Sequence, residues 1–256
     1  MNSPNPIPIL MYHQVDIAPS KGTPLRGLVV SPGSFFRQMA TMSALGFRGL
    51  SMNDLLPFLR GERSGRVFGI TFDDGYENNL HNALPVLRRF AYTSTCYVVA
   101  RRAGQTNSWD SELGIPPAPL MSIAQMQAWI DAGQEIGSHT LTHPDLRHIN
   151  RQNQRVEIIE SKLQLEAQLK QAGGISNFCY PYGGFNPSAV DCAFEAGYAT
   201  ATTTIRGRSD ISTGRELFVL PRVLVSRTTT CLHLVLKCLT GYEDRRGKLL
   251  PIRPDA

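Results

Sequence analysis

Short apolar runs alternate with capped, helix-patterned stretches along almost the whole chain. "IPILMY" (7–12), "RVFGITF" (66–72), "TSTCYVVA" (93–100), "QEIGSH" (134–139), "SNFCYPYG" (176–183), "YATATTT" (198–204) and "LFVLPRVLV" (217–225) read as strands. Near-continuous apolar runs of this length suit strands buried on both faces. Between them lie helix signals. Ser31 precedes Pro32 as an N-cap and Gly46 stops the same segment; Ser122 and Gly133 bracket another; Asn186 precedes Pro187. "SMNDLLPFLRG" (51–61) reads as a short helix, and residues 150–172 as the longest. Leu80, Leu84, Leu87 and Phe90 keep helical spacing, with Pro85 as an expected kink. A last helix is expected from about Thr229 to Thr240. This order predicts an α/β fold with a largely parallel sheet, open or closed into a barrel. No internal repeat or linker divides the chain, so one domain is expected over 1–256. Its core spans about 7–225, followed by a C-terminal helix and basic tail at 226–256.

At 256 residues, a substantial core is within reach. Hydrophobic residues make up 42% and charged ones 18%, which excludes a disordered chain. The net charge of +5 suits an anionic substrate or a membrane surface, and the cations are scattered except near the C-terminus. No base-stacking motif accompanies them, so nucleic acid is not an expected partner. Five cysteines without short regular spacing resemble neither a disulfide framework nor a zinc ribbon; buried thiols in a reducing compartment are expected. "MNSPNPIPILMYHQV" lacks the basic-then-apolar pattern of a signal peptide, so the cytoplasm is the expected location. The C-terminal "LHLVLKCL" and "RRGKLLPIRP" suit peripheral contact with the inner membrane surface, or a packed helix with a solvated tail.

Three polar clusters stand at or just beyond strand ends: Asp73–Asp74, His139 with His143 in "SHTLTHP", and "FCYPYGG" at 178–184. In parallel α/β folds the C-terminal strand ends share one face, where sites gather. Adjacent aspartates at the end of an apolar strand demand a positive partner, an Arg, a Lys or a metal ion. Two imidazoles and a carboxylate form a facial ligand set for a divalent metal. Pro144 and the neighbouring threonines argue against a regular helix for the His pair, though a single helical turn would still put both rings on one side. One aspartate then holds the metal, and the other is placed to take a proton from water. Residues 101–121, rich in proline and poor in periodicity, read as a long functional loop.

"TFDDG", "SHTLTHP" and "YPYGG" resemble the signature motifs of polysaccharide deacetylases, carbohydrate esterase family 4 with the NodB homology domain. "MYHQV" near the start and "LPRV" near the end resemble the subgroup that includes poly-β-1,6-N-acetylglucosamine deacetylases. The resemblance covers residues 7 to about 225. It implies a distorted (β/α) barrel of about seven parallel strands. It further implies Asp73 as general base and Asp74, His139 and His143 as ligands of one divalent metal ion. Zinc is the usual ion, with cobalt, nickel or iron as alternatives. The Tyr182 backbone N–H, next to Pro181, would help hold the oxyanion; Trp109, read from its place in the long loop, is either a substrate contact or a loop anchor.

Two positions depart from the pattern. Cys179 stands where the commoner members have an Arg that orients the base. Leu220-Pro221-Arg222 stands where they have Leu-x-His, whose histidine protonates the leaving amine. Arginine stays protonated and cannot be an ordinary general acid. Arg222 is therefore expected to pair with Asp73 in place of the missing Arg, leaving protonated Asp73 or His13 to protonate the amine. The expected function is metal-dependent removal of an N-acetyl group from an aminosugar in a glycan or glycan precursor. A deformylase or small-amide hydrolase on a lipid-linked or nucleotide sugar is the alternative, and a catalytically impaired carbohydrate-binding relative is the second. The oligomeric state is not legible.

Overall fold

A computed structural model describes residues 6–249. Ten strands are present among these described residues: β1 (Ile9–Tyr12), β2 (Gln14–Val15), β3 (Val29–Val30), β4 (Arg48–Leu50), β5 (Val67–Phe72), β6 (Thr95–Val98), β7 (Glu135–Ser138), β8 (Asn177–Cys179), β9 (Thr200–Arg206) and β10 (Leu220–Leu224). Seven of them, β1 and β5 to β10, close a parallel barrel, since β1 pairs with β10 on one edge and β5 on the other. β4 is the distortion. It pairs with the first half of β5 (Leu50 opposite Gly69), while β6 takes up the second half (Thr71 opposite Thr95). The short β2–β3 ladder lies outside the barrel.

The connecting helices start where local chemistry dictates. Ser31 accepts from the Ser34 N–H and opens α1 (Pro32–Ala44); Ser51 accepts from the Asp54 N–H and opens α2 (Met52–Leu59). Pro85 breaks its segment into α3 (Asn78–Asn82) and α4 (Leu84–Arg89), because a prolyl nitrogen cannot continue the ladder. Ser122 and Gln125 form a reciprocal capping box on α5 (Ile123–Asp131). The long segment expected over 150–172 runs from Arg151 to Gln168. It is α6 (Arg151–Arg155) and α7 (Ser161–Gln168) joined by a π-helical turn, Val156–Glu160. α8 (Pro187–Glu195), α9 (Cys231–Leu239) and α10 (Tyr242–Leu249) follow. The strand expected over 217–225 is shorter, because Gly214–Phe218 is a 3-10 turn. All five cysteines are free thiols, four of them buried. Residues 250–256 of the basic tail lie outside the described residues, and no described helix is long and apolar enough to cross a membrane.

Rings of Tyr12, Phe35, Phe72 and Trp129 meet edge-on or tilted at 5.2–5.9 Å and form an aromatic core beside the barrel. The barrel's lower end is filled differently. Thr95, Glu135, Asn177 and Thr200 are the first residues of β6, β7, β8 and β9, and all are buried. The Glu135 carboxylate accepts from the Thr95 hydroxyl (2.8 Å), the Asn53 N–H (3.0 Å) and the Asn177 amide; the Thr200 hydroxyl donates back to Asn177. Burial raises the Glu135 carboxyl above the usual range, and this network pulls against it. Three of these four donors point at one carboxylate, so its loss strands several buried polar groups together. Glu135→Ala should therefore lower unfolding stability by about 3 kcal/mol. Glu135→Gln should recover little, because its NH2 would oppose a donor. Chemical denaturation of the three proteins checks this order.

Candidate active site

Each polar cluster stands just past the end of a barrel strand. β5 ends at Phe72, and the Asp73 N–H still donates to the Tyr12 carbonyl (2.9 Å), so the strand carries Asp73 rigidly to the barrel mouth. Asp74 then takes a left-handed conformation (φ +74°) and Gly75 follows (φ +79°), turning the two carboxylates in different directions. After β7, Thr140 and His143 also adopt positive φ (both +68°), so the two histidines are not on a helical turn. The Thr140 hydroxyl accepts from the His143 N–H (3.0 Å) and closes this loop on itself. After β8, Pro181 is buried and opens a tight turn in which Tyr182 (φ +57°) projects toward solvent, about half exposed. Gly183 (φ +68°) is obligatory here, because a Cβ would collide with the Thr204 side chain.

Asp74 Oδ1 lies 3.5 Å from His139 Nε2 and 3.3 Å from His143 Nε2, and all three residues are buried. His139 Nδ1–H donates to the Cys179 carbonyl (2.7 Å), which leaves Nε2 as the free lone pair in the neutral ring. The three donor atoms lie within 4.8 Å of one another. This set fits a divalent cation: one hard oxygen and two imidazole nitrogens converge, and burial would otherwise leave the carboxylate weakly compensated.

Asp73 is turned the other way. Arg222 Nη1 and Nη2 donate to its two oxygens, each at 2.7 Å, in a bidentate pair with both partners buried. The register of β10 against β9 shifts between Leu220 and Arg222. Within that stretch Pro221 has no N–H to offer, and the Thr203 carbonyl receives Arg222 Nε instead (2.8 Å). Nη1 also donates to the Thr71 hydroxyl (3.0 Å), and Nη2 lies 3.2 Å from the Cys179 sulfur. Burial alone would raise the Asp73 carboxyl, but the guanidinium outweighs it and holds the group below its ordinary 3.8. Arg222 is correspondingly raised, its carboxylate partner outweighing desolvation.

His13 lies at the wall of the same cavity, its Nε2 3.9 Å from Asp73 Oδ2 and its Nδ1 without a hydrogen-bond partner. Trp109 stacks on His143 (centroids 4.6 Å apart, 24° between planes) and is not among the cavity's lining residues. Tyr182 packs edge-on against His143 from another side. Asp110 lines the cavity, and burial with the nearby Asp74 charge pushes its carboxyl up to about 6. The cavity holds about 480 Å³.

One supporting residue carries no sequence signal. Glu157, in the π-helical turn, accepts from the Leu141 N–H (2.9 Å), the Thr142 N–H (3.0 Å) and the Thr142 hydroxyl (2.7 Å). Positive φ at a β-branched Thr140 and at His143 costs about 1–3 kcal/mol each, so the loop needs such a clamp. A π turn shifts the helix register by one residue and often marks a functional site.

A parallel barrel with a buried carboxylate–imidazole set and a second, arginine-held carboxylate at its mouth has the arrangement of a hydrolytic site. The sequence profile of polysaccharide deacetylases matches residues 60–201, and the chain belongs to that family; it is a carbohydrate deacetylase. It is 29% identical over 225 residues to the putative polysaccharide deacetylase YxkH of Bacillus subtilis, covering 87% of this chain and 72% of that protein. Its structure resembles the Streptococcus pyogenes deacetylase PplD in complex with acetate (TM-score 0.78, 26% identity, 92% and 99% of the chains). The fold also matches IcaB from Ammonifex degensii (TM-score 0.71, 21% identity, 93% and 99%).

Glu157→Ala should release the His143 loop while sparing the barrel. A loss of about 10- to 100-fold in zinc affinity is expected, read by competition against a chromogenic chelator, with a melting temperature near that of the parent.

Proposed function

We propose that the protein removes the N-acetyl group of an aminosugar in a glycan or glycan precursor, with Asp73 as general base and Asp74, His139 and His143 holding a divalent ion, zinc before cobalt, nickel or iron. The observation that carries this reading is the division of labour between adjacent aspartates: Asp74 faces two histidines, and Asp73 faces Arg222. When bound, a divalent ion at Asp74, His139 and His143 supplies Lewis acidity toward the amide carbonyl and acidifies water. Asp73 accepts the proton of the attacking water, and Arg222 keeps that carboxylate charged and oriented. The Tyr182 N–H, on the turn after Pro181, donates to the oxyanion. His13, 3.9 Å from Asp73, is placed to hand the proton on to the leaving amine. Retention of a positioned base favours an enzyme over a binding relative, and no observation favours a formamide or cyclic amide.

Acetate release from N-acetylglucosamine oligomers by the zinc-loaded protein tests this. Asp73→Asn should abolish it, and His13→Asn should lower kcat by about 100-fold; full activity of Asp73→Asn would sink the assignment of the base.

Arg222 makes a signed prediction. Arg222→Met removes the strongest opposing charge and leaves burial opposed only by the nearby His13 and His139, so the Asp73 carboxyl rises. The acid limb of the kcat/KM profile should move to higher pH. Arg222→Lys should keep the limb low and still lose about 10-fold in kcat, because a lysine cannot reproduce the bidentate fork.

A further inference from the structure

The cavity wall away from Asp73 and the histidines is not built like a sugar platform. One side is the segment after β1, with Ile17, Pro19, Pro24, Leu25 and Leu28; the other is Ile115, Pro116 and Pro117 of the long loop. Ile17 and Leu25 are strongly exposed, at 86% and 49%. Leu25 is moreover held in a left-handed conformation (φ +54°), which a leucine adopts only at a cost. Solvent-exposed aliphatic side chains converging on one cavity mark a binding surface.

The deacetylase reading, on which this inference rests, makes the acyl group two carbons long. A methyl group cannot cover this wall. A sugar ring would use it poorly too, since aliphatic and prolyl carbons make up most of the wall and the interspersed Thr23 and Arg26, the latter donating Nε to the Pro19 carbonyl (2.7 Å), leave few partners for its hydroxyls. The exposed aromatic in the site, Tyr182, lies beside His143, where the sugar itself would sit. We propose that the Ile17–Leu28 and Ile115–Pro117 wall binds an apolar chain attached to the aminosugar, so that the substrate is a lipid-linked N-acetylated aminosugar rather than a bare polymer. The chain lies along the wall and holds the N-acetyl group over Asp73 and Asp74. It contributes through affinity, not through the chemical step.

The test compares methyl and octyl N-acetylglucosaminides, with N-octanoylglucosamine as a third compound, on the zinc-loaded protein. The octyl glycoside should have kcat/KM about 10-fold or more above the methyl glycoside, carried by KM, since each buried methylene strengthens binding. The double variant Ile17→Ser/Ile115→Ser should bring that ratio close to one. Equal kcat/KM for the two glycosides, or a ratio the variant leaves untouched, overturns the proposal. So does preference for N-octanoylglucosamine, which would put the chain on the acyl side. Calorimetric titration of the metal-free protein with both glycosides separates this from the deacetylase reading. Without turnover on any compound, tighter octyl binding that the variant weakens still supports the wall, and equal binding overturns it.

Discussion

The buried pair between Asp73 and Arg222 is the constraint around which the barrel mouth is arranged. A lone carboxylate at that depth would take up a proton, and a lone guanidinium could not be buried at all. Together they need each other's geometry within tenths of an ångström. Their hydrogen bonds reach across strands far apart in sequence: Thr71 before Asp73 on β5, Thr203 on β9, and Cys179 on β8. The small thiol at 179 leaves room for a guanidinium arriving from β10. The register shift at Pro221 frees the carbonyl that holds it. Such a pair adds little net stability over an apolar substitute, and its value lies in keeping one carboxylate ionised and aimed.

The two ends of the barrel handle buried polarity in opposite ways. At the bottom, the polar first residues of four successive strands satisfy one another around Glu135, and nothing is left over for a ligand. At the top, donors and acceptors are left facing a cavity: imidazole nitrogens toward Asp74, the unpartnered Nδ1 of His13, and a carboxylate held by Arg222 alone. The fold thus separates a closed network that stabilises from an open one that can do chemistry. Backbone strain is concentrated at the mouth, where Asp74, Thr140, His143 and Tyr182 are left-handed; among the other described non-glycine residues only Leu25 and Ala91 are.

Much of this was legible along the chain. Alternation of apolar runs and capped helices specified the parallel α/β order, because each signal is local and acts through a few neighbouring residues. Ser31, Ser122 and Pro85 act as the sequence suggests for that reason. The paired aspartates and the two histidines were visible as chemistry that a strand end could not leave uncompensated. Less legible were the left-handed backbone of the histidine loop, the break in the long helix and the shortening of the last strand. Each depends on contacts with segments distant in sequence. Glu157 is the clearest case: its spacing is that of any exposed helical glutamate, and only the π turn directs it at the Leu141 and Thr142 amides.

By itself, then, the sequence determined the order of elements, the helix caps and the set of residues able to hold a cation and move a proton, since these follow from side-chain chemistry and short-range sterics. The resemblance of the motifs already implied that Asp74 joins the histidines and that Arg222 pairs with Asp73; tertiary structure decided the route, Arg222 reaching Asp73 through the space beside Cys179, and that two loops with no shared motif form one aliphatic wall. Those outcomes depend on strand register and on barrel closure, which bring Asp73 and Arg222, 149 positions apart, into contact and leave no trace in local pattern.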